Sequence, residues 1–144
     1  MRFLDLPPRS KNEDLAALMR RMNFCEERGS GIDKVVFSSE VYQLPAPTFD
    51  VRDHTTIATL YAHRKFAQMN KQDRIWACYL HACLKYVSNK TMTNATLRER
   101  FGIETKNYPM ASGLIADTMA KGWIRPRDPE NRSRKHAEYL PGWA

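Results

Sequence analysis

The stretch from Thr91 to Leu140 constrains the fold more than any other part of the chain. Thr93-Asn94-Ala95-Thr96-Leu97-Arg98-Glu99-Arg100-Phe101-Gly102-Ile103 reads as a short helix. Thr93 offers a side-chain cap, Leu97, Phe101 and Ile103 supply a buried side, and Gly102 suits the left-handed turn that ends a helix. A second helical period follows from about residue 107 to 121, with Pro109 tolerated only in its first turn. Ala111, Leu114, Ile115, Thr118 and Met119 form its inner stripe. Trp123-Ile124-Arg125-Pro126, a basic loop and Tyr139-Leu140 then read as two strands with a loop between them. Helix, turn, helix, strand, basic loop, strand is the order of a winged helix-turn-helix, and a unit of that design predicts double-stranded DNA as its partner.

The pattern upstream of this stretch is different. Gln72 to Val87 reads as a helix with Ile75, Trp76, Tyr79, Leu80, Leu84 and Val87 on one face, and Met69-Asn70-Lys71 marks a boundary before it. The second domain is therefore expected over residues 70–144. Residues 1–69 offer a weakly alternating strand from Arg2 to Leu6 and a capping box at Ser10-Lys11-Asn12-Glu13. A helix with the stripe Leu15, Leu18, Met19 and Met22 follows, then a second helix from Ile32 to about Glu40. Leu44-Pro45-Ala46-Pro47 is a stiff stop, and residues 48–51 and 55–61 predict a hairpin turning near Asp53-His54. One hairpin, two helices and a lone strand make a thin core. Residues 1–69 are expected to be the tail of a larger domain, and the fold class is α+β.

Charge is segregated along the chain. Residues 1–69 hold 10 Lys and Arg against 9 Asp and Glu, whereas residues 70–144 hold 13 against 7, so +6 of the net +7 lies in the second half. A segregated basic excess suits a polyanion-facing surface; the competing reading is a plainly solvated basic face. No apolar run approaches the roughly 18 residues of a membrane span, so no membrane partner is expected. The first eight residues are too short and acidic for a signal peptide, and the chain is expected to be cytoplasmic. Cys25, Cys78 and Cys83 cannot all pair with one another, and Cys78 and Cys83 sit in an apolar helical pattern as small hydrophobes.

The binding residues follow from helix geometry. The N-terminal end of a recognition helix faces the major groove, which points to Lys106, Asn107, Tyr108 and Ser112. Asn107 has two readings, an adenine reader or a helix cap, and the cap is the commoner role. Arg98 and Arg100 are expected on phosphates, and Arg132, Arg134 and Lys135 on the wing. Gly113 costs helix propensity without an evident functional return. Gly29-Ser30-Gly31 at a helix start is a weak phosphate cradle, and an ordinary glycine turn is the commoner reading. The four histidines lie far apart, and Cys78 with His81 lacks a second ligand pair, so no metal is expected. No nucleophile sits in a catalytic setting, no Walker-type loop is present, and no catalysis is expected.

Two segments carry a family resemblance. Pro8-Arg9-Ser10-Lys11-Asn12-Glu13-Asp14-Leu15-Ala16 and Cys25-Glu26-Glu27-Arg28-Gly29-Ser30-Gly31-Ile32-Asp33-Lys34 resemble the end of the ATPase-like domain in bacterial ATP-binding transcriptional regulators of the RecG-helicase-like, Schlafen/AlbA type. Met92-Thr93-Asn94, Leu97 to Ile103 and Tyr139 to Ala144 are similar to the winged-helix tail of the same proteins. The resemblance implies a partial GHKL-type ATPase-like remnant over 1–69 and a transcription-regulating winged helix over 70–144, the whole being a C-terminal fragment. It also implies that Gly29 and Gly31 match the glycine-rich lid segment alone. The magnesium- and adenine-holding motifs belong to the part of the fold that precedes it, so no cofactor is expected here. After Ala111-Ser112 the family pattern carries a basic residue where this chain has Gly113. A homodimer is expected from the two-fold symmetry common in operator recognition. The alternative is a winged helix serving protein interaction or dimerisation without DNA contact.

Overall fold

The computed structural model describes residues 4, 6–26, 29–130 and 137–144. Its first helix, Glu13–Arg21 (α1), opens on Asn12 rather than Ser10. The Asn12 side-chain oxygen accepts from the Leu15 amide at 2.9 Å, and the Ser10 hydroxyl is buried without a hydrogen-bond partner. The capping box expected at Ser10 is thus replaced by a one-sided asparagine cap one residue before the helix, where its short side chain reaches the third amide. α1 buries none of its residues, and its stripe of Leu15, Leu18, Met19 and Met22 is exposed. The expected strand from Arg2 to Leu6 falls largely outside the described residues.

Gly31–Val41 (α2) buries Val36 and Ser39, and the Ser39 hydroxyl turns back to the Val35 carbonyl at 2.9 Å. Thr48–Arg52 (β1) and Thr55–Thr59 (β2) form an antiparallel ribbon in which Arg52 faces Thr55. That register leaves Asp53-His54 as a two-residue turn, at the place the sequence predicts. The ribbon pairs with no other strand among the described residues.

Lys71–Val87 (α3) starts where Asn70 accepts from the Asp73 amide at 2.7 Å. The sequence predicts one apolar face, yet Ala77, Cys78, His81, Ala82 and Cys83 are buried as well as Ile75, Tyr79 and Leu80. Small side chains on the second side let neighbouring elements approach closely, so α3 is enclosed rather than amphipathic. Met92–Thr93 (β3) leads into Asn94–Phe101 (α4), and Tyr108–Ala120 (α5) follows a short 3-10 turn at Thr105–Asn107. Ile124–Pro126 (β4) and Glu138–Pro141 (β5) complete a three-stranded antiparallel sheet in the order β3-β5-β4. Met92 faces Tyr139, and Ile124 faces Pro141.

The chain is α+β, with five helices and two small sheets among the described residues. One buried apolar cluster runs from Leu4, Val36, Ala46 and Met69 through α3 to Leu97, Ile115 and Ile124. The core therefore passes straight through the Met69-Asn70 boundary. Trp76 reinforces the crossing by donating its indole N–H to the Pro47 carbonyl at 2.8 Å.

Candidate nucleic-acid interface

α4 is held at its start by a reciprocal cap. The Thr96 amide donates to Thr93 Oγ1 at 3.2 Å, and the Thr93 amide donates to Thr96 Oγ1 at 3.0 Å. It ends at Gly102, whose φ of 62° is left-handed, while the Ile103 amide closes onto the Arg98 carbonyl at 2.9 Å. Both ends of this helix lie where the sequence puts them.

The turn and α5 present the expected groove-facing residues on one exposed edge. Lys106, Asn107, Tyr108 and Ser112 are all exposed. Asn107 stands at the cap position of α5, yet its side chain makes no capping bond. The preceding 3-10 turn starts the helix instead, leaving the Asn107 amide group at the surface. Lys106 is paired with Glu104 at 2.7 Å, both well exposed. Ser112 Oγ accepts from Asn94 Nδ2 at 2.9 Å, and the same amide donates to the Tyr108 carbonyl at 3.1 Å. Asn94 Oδ1 in turn accepts from Arg98 Nε at 2.9 Å, and Arg98 reaches Thr105 Oγ1 at 3.1 Å.

Asn94 thus ties α4 to α5 and fixes the angle between them, a role the sequence reading missed. The spacing Asn94 to Arg98, one helical turn apart, was the available signal. Arg98 braces the turn at the same time as it lies beside the candidate interface.

Arg100 departs from expectation. It is 5% exposed, donates from Nε to Glu40 Oε1 at 2.6 Å, and donates a second bond to the Leu44 carbonyl. Leu97 and Arg100 lie three apart on the same side of a two-turn helix, and that side packs toward α2 and α3, so Arg100 follows Leu97 inward. It does not face a phosphate. The same Glu40 carboxylate meets His81 Nδ1 at 2.6 Å, and His81 Nε2 meets Thr96 Oγ1 at 3.3 Å. Glu40, His81 and Arg100 therefore join α2, α3 and α4 in one buried polar cluster. Gln43 adds a further tie across it, donating to the Glu99 carbonyl at 3.3 Å.

On the strand side, Arg127 closes the base of the hairpin. Its backbone amide donates to the Glu138 carbonyl at 2.8 Å, and its guanidinium pairs with the Glu138 carboxylate at 2.7 Å. Arg125 donates to the Ala144 carbonyl at 2.6 and 3.2 Å. Arg132, Arg134 and Lys135 lie outside the described residues.

Gly29, Ser30 and Gly31 form the turn into α2. Gly29 has a φ of 63°, and a Cβ there would stand 2.7 Å from the Leu6 carbonyl oxygen. The turn is therefore a glycine-dependent crossing of two backbones. Ser30 caps nothing with its side chain, and Gly31 has open space around it. Among the described residues no three metal-ligating side chains converge, and no helix is long and apolar enough to cross a membrane.

No curated protein and no solved structure matches the chain. Residues 2–60, which hold α1, α2, β1 and β2, match the family described as "Putative ATP-dependent DNA helicase recG C-terminal", and over that segment the chain is similar to it.

Proposed function

We propose that residues 70–144 are a winged helix-turn-helix that binds duplex DNA without chemistry, attached to an ATPase-like remnant of a transcriptional regulator. The observation that carries this reading is topological. A helix, a short strand, two helices meeting at Gly102 and a hairpin follow in that order, with strand order β3-β5-β4. This is the arrangement in which the third helix is offered to the major groove and the hairpin to the flanking backbone. The exposed edge at Lys106, Asn107, Tyr108 and Ser112 and the +6 excess of this half support it. Asn107, with its amide free of capping, is the residue best placed to read a base edge. Two-fold pairing of copies accompanies this reading, because operators commonly mirror a dimer.

A second reading draws on the composition of α5. Residues 108–120 contain no lysine or arginine, and Tyr108 and Met110 stand exposed at the end that would enter the groove. An apolar, uncharged tip suits a protein surface better than a phosphate-lined groove, so an interaction module is the alternative.

Fluorescence anisotropy with mixed duplex DNA at about 50 and 200 mM salt separates the two. If some five phosphates are contacted, affinity falls by roughly two to three decades between those salts. The Arg132→Glu/Arg134→Glu/Lys135→Glu variant is expected to lose that binding. Absence of binding at the lower salt rejects the DNA reading and favours the interaction module.

A further inference from the structure

A pocket of about 300 Å³ lies between the start of β1 and the first turns of α3. Four aromatic residues, Phe49, Trp76, Tyr79 and Trp123, make up most of its wall, and Asp73 and Gln72 supply most of the rest. Hydrogen bonds tether Trp76 and Tyr79 by their side chains and Trp123 by its backbone. Trp76 donates to the Pro47 carbonyl at 2.8 Å, Trp143 donates to the Tyr79 hydroxyl at 3.1 Å, and the Trp123 carbonyl accepts from the Gly142 amide at 2.8 Å. The ring centroids of Trp76, Tyr79 and Trp123 stand 5.4 to 5.6 Å apart, and Trp76 and Trp123 meet nearly edge to face at 79°.

The chemistry of this wall selects a ligand. Aromatic faces are negative, and among the described residues that line the pocket the charged one is Asp73, half-buried, with Lys121 at the rim. An anion would meet repulsion from the ring faces and the Asp73 carboxylate, against the attraction of Lys121 at the rim. A neutral apolar guest would strip water from Asp73 without replacing it. A cation answers both the rings and the carboxylate. The molecule already places one beside this wall: the Lys121 ammonium lies 5.1 Å from the Trp123 ring centroid, anchored by Gln72 Oε1 at 2.6 Å.

We propose that the pocket binds a small organic cation, an amine or quaternary ammonium, seated on the aromatic wall with Asp73 as its counter-charge. Phe49 belongs to the hairpin and Trp123 precedes β4, so an occupant touches both the segment that matches the helicase-related family and the base of the wing. The site is independent of the DNA-binding reading and stands or falls without it.

The test is a tryptophan-fluorescence titration of the whole chain with choline chloride at constant ionic strength. Its control is the neutral isostere of choline, in which carbon replaces the quaternary nitrogen. Choline is expected to give a saturable change, with the isostere weaker by about tenfold. Asp73→Asn, which conserves shape, is expected to weaken choline binding by about fivefold or more. Lys121→Met, which removes a like charge from the rim, is expected to tighten it. A response that does not saturate, an isostere that binds as well as choline, or an affinity unchanged in both variants overturns the proposal.

Discussion

Two glycines show how differently the same residue is constrained. A Cβ on Gly142 would stand 2.4 Å from the Gly122 carbonyl oxygen, where two backbone segments meet just after β5. Gly142→Ala is therefore expected to cost about 1–3 kcal/mol, read as a lowered midpoint in thermal unfolding. Gly113 meets nothing within 4 Å and lies on the exposed side of α5. Gly113→Ala should add up to about 1 kcal/mol of stability by the difference in helix propensity. Gly113→Lys, which adds a cation to the exposed side of α5, should raise DNA affinity and steepen its salt dependence if the DNA reading holds. Cys78 is the third informative residue. Burial pushes its thiol from the ordinary 9.0 up to about 12. Because the folded-state value is raised, the neutral thiol's contribution to stability is complete below pH 9 and is lost as pH climbs toward 12. Chemical denaturation at stepped alkaline pH should show stability falling through that window, and a flat profile would count against it.

Among the elements, α4 is too short to be stable by itself and depends on its ends and its neighbours. Thr93 holds one end, and Thr93→Ala should cost about 1 kcal/mol. Its inner side depends on Glu40, whose carboxylate serves both His81 from α3 and Arg100 from α4. The Glu40 and Arg100 side chains are only 10% and 3% exposed, so solvent does little to screen them. Arg100→Met alone leaves a buried carboxylate short of a partner and is expected to destabilise by about 3–5 kcal/mol. Removing both charges, in Arg100→Met/Glu40→Met, should cost clearly less than the two single changes added together. Urea unfolding in a double-mutant cycle measures that difference, and simple additivity would mean the pair is not coupled. The same cluster explains why α2 is part of the body of α3 and α4 although it lies in the segment that matches the helicase-related family and they do not.

At the scale of the molecule, one core runs through both halves, with two of the three cysteines inside it and Cys25 exposed. A thiol reagent should therefore react promptly with one cysteine in the native protein and with all three after unfolding. Prompt reaction of a second thiol would contradict the continuous core. Most of the elements were legible in the sequence, because they are set by local chemistry. The left-handed glycine at Gly102, the cap at Thr93, the proline in the first turn of α5 and the two-residue turn at Asp53-His54 each act within a few residues of themselves. The segregation of positive charge was equally legible. What the sequence could not supply was the direction in which each element faces, since that depends on contacts between residues far apart in the chain. Arg100 reads in the sequence as a surface cation, and Glu40, sixty positions earlier, holds it inside. Asn94 is joined to α5 by Ser112, eighteen positions later, and the aromatic pocket joins Phe49 to Trp123. Local propensity fixed where the helices, strands and turns lie, whereas long-range packing decided which polar groups are buried as structure and which remain free to bind.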